Sequence, residues 1–381
     1  MQLSLQREPG FFIGAGIGNL ATTVIVARDA AAGHVVATAA RAIRRAFVDG
    51  AECPLGYLST LRTAGEVRNT TVVARGYRYL KLQHADGRVP YYVTTILEGN
   101  EEARRILTSG RAGLPAYVSY GKLRTFLLPL YGFRRRCRGS GVVRGAAPEA
   151  LPAALACLNR FNAGLQFAPA YRLEDLVPGP AGSVSLRSPS LTPGGPIRAT
   201  LRDRSAAGEP CHAVEDLATD SGMLHGLSPA NLYLRLQGSE VAGTMAVWNQ
   251  NGFKQSVVAG YSRGLAVARP ALALAARFGL APRLPPIGRS LPCLYAALIS
   301  SRDSDVAVFQ ELLDAVLADY TNSGYAYLLL GLSGRHPFSR VVEKQSVMTI
   351  DSGIYLVCWP DCDPASLPST DLVPHLEVAT L

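Results

Sequence analysis

The residues of this chain that could do chemistry are scattered along it and form no single motif. Glu98 closes the β-branched run PYYVTTIL at 90–97, where a carboxylate can deprotonate an ammonium directly or through water. The same position also reads as a solvated turn residue before Gly99. The segment RNTTVV at 68–73 opens an amphipathic helix, and the unpaired N–H groups at a helix start, with the positive end of its dipole, make an anion site. His336 stands beside Pro337 and reads either as a packed or surface residue or as a catalyst. Seven cysteines, at 53, 137, 157, 211, 293, 358 and 362, are odd in number and lack the paired short spacings of a zinc site. They read as reduced structural thiols of a cytoplasmic protein, with no metal. Gly14, Gly16 and Gly18 lead into a β-branched strand and a turn at 29–33, a hairpin signature, whereas a dinucleotide site needs a helix after its glycines.

Size and charge bound what surrounds these residues. With 381 residues, 48% of them apolar, the chain can bury two ordinary cores. Of 38 basic residues only Lys81, Lys122, Lys254 and Lys344 are lysines, so the positive charge is mostly guanidinium, suited to flat contacts with phosphate or carboxylate. The densest run, Arg134, Arg135, Arg136 and Arg138, has no interleaved aromatics for base stacking, which argues against nucleic acid. The uncharged stretch 10–27 has the length of a membrane span, but four glycines, Asn19, Thr22 and Thr23 dilute it, and Glu8 and Pro9 before it do not suit a signal peptide.

Periodicity places the elements. Strands are expected at 22–27, 34–42, 55–62 and 90–97, helices at 72–80 and from Asn100 to about Gly110, then extended runs at 116–120 and 123–130. Asn100 suits an N-cap, with Glu101 and Glu102 in the first turn. After an Arg/Gly-rich linker and a helix at 148–161, the order returns: a hairpin at 231–236 and 242–248, a strand at 293–300, a helix at 306–319, a strand at 325–331, a short helix at 338–344 and a strand at 353–359.

This order, with YLSTLRTAGEVRNTTVVARGYRYL at 57–80 followed by YYVTTILEGNEEARRIL at 91–107, resembles the GNAT superfamily of N-acyltransferases. The resemblance implies an α/β (α+β) fold of two GNAT-like domains, each a mixed, mostly antiparallel sheet with a central splayed parallel pair flanked by helices. Their bounds would be 1–135 for the donor-binding domain, 136–147 for the linker, and 148–381 for a second domain with a Pro/Gly/Ser-rich insertion at about 178–210. It also implies that the strand carrying LSTLR parts from YYVTTIL and exposes backbone groups to the pantetheine arm of acyl-CoA or an acyl carrier protein. Leu61, Arg62 and Thr63 would then face the pantetheine, with Arg68, Asn69, Thr70, Thr71, Val72, Val73 and Asn100 on the diphosphate side.

Two departures from the family pattern matter. The loop at 68–73 lacks the family's small residues, so Thr70 and Thr71 hydroxyls must serve as donors. The position matching the family's tyrosine is Leu107, which leaves the general acid to Tyr117, Tyr120 or solvent, with Glu98 as base. Tyr57, Tyr92, Trp248 and His336 are the candidates for contact with the acceptor. In the second half Asp303 and Asp305 would repel a diphosphate, so that shell is expected to lack a donor site. The implied activity is acyl transfer from acyl-CoA, a co-substrate, to a small-molecule amine by direct attack, with no membrane or nucleic acid partner. A catalytically inactive tandem binding protein and an aminoacyl-tRNA-dependent transferase are the alternatives, the last favoured by the basic charge.

Overall fold

The computed structural model describes residues 1–68, 70–133, 141–177, 215–217, 224–363 and 366–381. The first half runs β1 (Gln2–Gln6), α1 (Phe11–Ala15), β2 (Ala21–Arg28), β3 (Val35–Val48), β4 (Ala51–Thr63), α2 (Val72–His84), β5 (Tyr92–Leu97), α3 (Glu101–Leu107) and β6 (Ala116–Pro129). It continues with β7 (Val142–Arg144), α4 (Leu151–Ala163), β8 (Leu165–Gln166), α5 (Leu173–Leu176) and β9 (Glu215–Leu217). The second half adds β10 (Leu232–Gln237), β11 (Glu240–Trp248), β12 (Gln255–Gly260), α6 (Arg263–Arg277), β13 (Cys293–Ser301), α7 (Val306–Tyr320), β14 (Tyr327–Ser333), α8 (Ser339–Glu343), β15 (Met348–Cys358) and β16 (Val373–Pro374).

The two halves share one sheet. Its twelve strands follow the order β7-β10-β11-β13-β14-β6-β15-β5-β4-β3-β2-β9, antiparallel except for β13–β14 and β4–β5. Strand β6 of the first half lies between β14 and β15 of the second, and β15 lies between β5 and β6. Each half therefore completes its sheet with a strand of the other. Helices cover the sheet where their apolar stripes demand it. Tyr77 and Leu80 of α2 pack with Leu58 and Ile96, Phe309, Leu312 and Val316 of α7 pack with Phe126 and Leu330, and Leu155 and Leu158 of α4 pack with Trp248 and Leu232.

Most expected elements are present. The differences are instructive: β6 is one strand where the sequence suggests two, and 10–27 is a short helix followed by a strand. Strands β1 and β12, which pair with each other, and helix α6 are not among the elements expected from the sequence. The expected insertion at 178–210 and residues 134–140 of the expected linker lie outside the described residues.

Both parallel pairs break at the same place. Strands β4 and β5 pair only at Gly56↔Tyr92 and Tyr57↔Val93, and β13 and β14 stop at Tyr295↔Leu329. Three residues beyond each last pair, Thr60 and Leu298 adopt a φ of 53°. In each case two residues of the central strand, Thr60-Leu61 or Leu298-Ile299, oppose one residue of the outer neighbour, Ala39 or Met245. This is a β-bulge, which bends the strand away from its parallel partner.

The second opening is filled by the chain itself. Val378 sits where a Cβ on Gly331 would come within 2.6 Å of it, and the Glu377 carboxylate accepts the Leu298 N–H at 3.1 Å. Burial pushes the Glu377 pKa up to about 7.

Two outcomes follow from this packing. At Gly56 a Cβ would stand 2.3 Å from the Tyr92 ring and 2.7 Å from the Tyr91 carbonyl oxygen. Gly56→Ala therefore costs about 1–3 kcal/mol in denaturant unfolding, because the paired end of β4–β5 must separate. Glu377 holds its proton in the fold up to about pH 7 but loses it near 4.5 when unfolded, so its stabilising effect is complete below 4.5 and is lost as the pH rises to about 7. The stability difference between the native protein and Glu377→Gln should change by about 3 kcal/mol across that window; a flat difference would remove this account of Glu377.

Candidate active site

Beyond Tyr57 no segment among the described residues fills the first opening, and a cavity of about 250 Å³ occupies it. Its walls come from β2, β3, β4, β5, α2 and α3, with Tyr117 contributed by β6. Ala27, Ala37, Ala39 and Ala40 line the side formed by β2 and β3, and Leu58, Ile96, Tyr77 and Leu80 enclose the interior. The short alanine side chains leave the space that larger residues would fill. Among the described residues of the wall there is no acid, cation, histidine or cysteine. The polar groups present are hydroxyls, the Asn100 amide and strand backbone: the Thr94 hydroxyl donates to the Leu58 carbonyl at 2.8 Å across the opening, and the buried Thr60 hydroxyl has no partner among the described residues.

Of the residues expected at a donor site, Leu61, Thr63, Val72, Val73 and Asn100 line the cavity. Asn100 also caps α3, its side chain accepting the Ala103 N–H at 3.2 Å. Thr70 and Thr71 are exposed at the start of α2, and Arg68 and Arg62 are exposed as well. Asn69 lies outside the described residues. The start of α2 suits an anion: Thr71 makes no side-chain cap and no acid stands in the first turn. The Thr70 hydroxyl is committed locally, donating to the Val67 carbonyl at 2.7 Å.

The expected catalytic residues separate. Tyr117 faces the cavity, and its hydroxyl meets that of Tyr77. Burial pushes Tyr77 up to about 12 and Tyr117 further in the same direction, so both stay protonated at neutral pH. Tyr120 is drawn away, its hydroxyl donating to the carbonyls of Pro368 and Ser369. Glu98 is half-exposed beside the cavity, paired with Lys122 at 2.6 Å, and the hydrogen bond from that ammonium holds its carboxyl below the usual range.

Three of the four residues expected against the acceptor are core residues. Tyr92 is fully buried, with Arg41 donating to its hydroxyl at 2.9 Å. Trp248 is fully buried and donates to the His225 carbonyl at 3.1 Å, and His336 is packed against Phe161, Phe338 and His375. Tyr92 and Trp248 are buried because strands in the middle of a wide sheet are covered on both faces, and His336, in the turn after β14, because that turn is packed under aromatic rings. Tyr57 is different, since it sits at the last paired position, buried, with its hydroxyl 3.4 Å from that of Thr95 in the cavity wall.

Tyr57 also joins the cavity to cations that the sequence did not signal. The Arg44 guanidinium lies 4.3 Å from the centre of the Tyr57 ring, is buried, and makes no hydrogen bond or ion pair among the described residues. Lys254 donates to the main-chain oxygen of Leu381 at 2.8 Å, and burial together with Arg7 lowers its pKa to about 7. Nothing in the spacing of these residues could have joined them, because they come from β3, the N-terminal segment and the loop after β11.

Comparisons with known proteins bear on the fold. No family model and no curated protein matches the sequence. Among solved structures, N-myristoyltransferase of Saccharomyces cerevisiae with bound myristoyl-CoA is similar over 92% of this chain and 72% of its own, at 8% identity and a TM-score of 0.52. GCN5-related N-acetyltransferases from Anabaena variabilis (9% identity, 91% and 64% covered, TM-score 0.42) and Kribbella flavida (13%, 85% and 57%, 0.41) also match. The large mixed sheet, its splayed parallel pairs and its flanking helices thus make the fold of this chain GNAT-like.

Proposed function

We propose that the chain is an N-acyltransferase built of two GNAT-like units, in which the first opening takes acyl-CoA and the second is a structural counterpart closed by residues 376–380. The observation that carries this reading is the apolar cavity directly behind the break in β4–β5 pairing, with its uncommitted bulge hydroxyl on Thr60. The fit to the donor is supported at both ends: free strand edge at Thr60–Thr63 for the amides of a pantetheine, and, for a diphosphate, the start of α2, where Thr71 makes no side-chain cap and the Val72 N–H meets the Thr70 hydroxyl at 3.3 Å. When bound, acyl-CoA supplies an activated acyl group as a thioester.

The residues then divide the work. Main-chain amides at the bulge, near Thr60 and Leu61, polarise a carbonyl oxygen placed in the opening. The alanine-lined space takes an alkyl chain, which favours a donor longer than acetyl. Tyr117, protonated at neutral pH, offers a hydrogen bond to a departing sulfur. Glu98, ionised and half-exposed, accepts the amine's proton through water. Holding an amine against the thioester lowers the barrier further by orientation alone. One feature favours a second reading, a binding protein without transfer: the cavity wall holds no titratable group except tyrosine hydroxyls. An aminoacyl-tRNA donor, the third reading, predicts binding that falls steeply with salt.

Titration with acetyl-CoA and a long-chain acyl-CoA distinguishes these. Saturation at one hundred times the dissociation constant raises stability by about 2.7 kcal/mol, and mass spectrometry of amine mixtures reports N-acyl product. Binding without product under any condition leaves only the binding reading, and no binding of either thioester ends the donor assignment. Ala39→Phe, which fills the alanine-lined side, should weaken a long-chain donor by at least about tenfold, the loss of about two buried methylenes, and spare acetyl-CoA.

Glu98→Gln should lower the maximal rate by about a hundredfold with donor affinity unchanged. Because Lys122 depresses the Glu98 pKa, Lys122→Ala moves the acidic limb of the pH–rate profile to higher pH. A profile that does not move excludes Glu98 as the base.

A further inference from the structure

Helix α6 and the loop after it project from the second half as an apolar and wholly basic surface. Val267, Leu274 and Phe278 are 82%, 58% and 72% exposed. Their spacing of seven and four residues, with Ala271 between, sets them on one helix face, while Leu265, Leu272 and Ala276 turn inward. Arg263 and Arg277 flank that face. Leu280 (53%) and Ile287 (61%) extend the exposed apolar surface into the loop beside Arg283 and Arg289. Between Glu240 and Asp303 the sequence has no acid, and its cations are Lys254, Arg263, Arg269, Arg277, Arg283, Arg289 and Arg302. The four exposed arginines, Arg263, Arg277, Arg283 and Arg289, make no ion pair among the described residues.

Scattered exposed apolar residues need no explanation, but five large ones on one element and its loop, framed by charge of a single sign, do. We infer that α6 and its loop dock on an anionic lipid surface, the face Val267–Leu274–Phe278 entering the boundary between headgroups and acyl chains and the arginines meeting lipid phosphates. The pattern is that of a helix lying in a membrane interface, with apolar side chains on one side and basic ones at its margins. At 15 residues, α6 is short for a span, and no helix among the described residues is long and apolar enough to cross a membrane. Charge decides against the other occupants. A second copy seated on this face by a two-fold axis would bring the arginines against their own counterparts, with no acid to offset the repulsion. Nucleic acid would satisfy the arginines but leave Val267 and Leu274 against phosphate and sugar. An acidic protein partner matches the charge and has no comparable use for aliphatic side chains so far exposed.

The test uses the full chain and sedimentation with vesicles of phosphatidylcholine, alone or mixed with phosphatidylglycerol. The protein should sediment with the mixed vesicles and remain in solution with the neutral ones, and added salt should weaken the binding. Arg263→Gln and Arg277→Gln should each lower affinity roughly fivefold. The triple variant Val267→Ser, Leu274→Ser, Phe278→Ser should lose sedimentation even at low salt. All five side chains are exposed, so melting temperatures should stay near that of the native protein; should the triple variant melt early, the arginine variants alone decide. The inference is overturned by absence of sedimentation with mixed vesicles, by equal sedimentation of the variants, or by light scattering that shows a dimer abolished by the triple variant.

Discussion

A single extra residue in β4 governs the rest of this structure. Two residues, Thr60 and Leu61, stand opposite Ala39, and the strand turns away from β5 after only two paired positions. A parallel pair in the middle of a twelve-stranded sheet would ordinarily continue its ladder, and the backbone groups released by the bulge must find other partners. The Thr94 hydroxyl supplies one, on the Leu58 carbonyl. The alanines of β2 and β3 keep the space behind the opening empty, and Gly56 allows Tyr92 to lie against β4 at the last point of contact. The cavity is thus a product of backbone geometry more than of the side chains that line it.

The exchange of β6 and β15 explains how such an opening is tolerated. A sheet with a gap at its centre loses ladder hydrogen bonds where cohesion matters most. Here β15 pairs with β5 over six positions and with β6 over eleven, and β6 pairs with β14 over seven. The halves are therefore tied by long antiparallel ladders on the far side of each gap, so opening one parallel pair does not loosen the sheet.

How much of this could be read from the sequence depends on whether a feature is local. Strand β2 and its turn, the Asn100 cap, helix α7 and the hairpin β10–β11 follow from patterns within a dozen residues, and so did the segments that form the opening. The bulges did not, because Thr60 and Leu298 are β-branched or bulky residues in a left-handed conformation, which no propensity favours. The exchange of strands did not either, since pairing of β6 with β14 joins residues about two hundred apart in sequence. At the site, Leu61 and Thr63, expected there from the resemblance, and Tyr117 line the cavity. The burial of Trp248 on a central strand covered on both faces, and of His336 in the packed turn after β14, cannot be told from one segment's pattern. Arg44 and Lys254 carried no signal at all, the first being brought to the Tyr57 ring and the second to the Tyr295 ring only by tertiary packing.

The second opening provides an internal comparison for the first. The same bulge, at the same offset from the last parallel pair, occurs at Leu298, and there the freed amide binds an oxygen of Glu377. That oxygen belongs to a segment in which Val378–Thr380 form a short 3₁₀ turn, with Val378 against Gly331 and the Ala379 carbonyl accepting from Gln250 at 2.6 Å. Around Leu298 the opening is thus closed by a compact turn of chain whose Glu377 carboxyl oxygen is aimed at the bulge amide. At Thr60 the bulge recurs with alanines in the wall and no such segment among the described residues, which leaves the cavity behind it. Under the proposed function the amides of a pantetheine would continue the strand edge and the acyl oxygen would reach the bulge. A charged group placed inside the cavity is disfavoured, because among the described residues the wall offers no charge to pair with it.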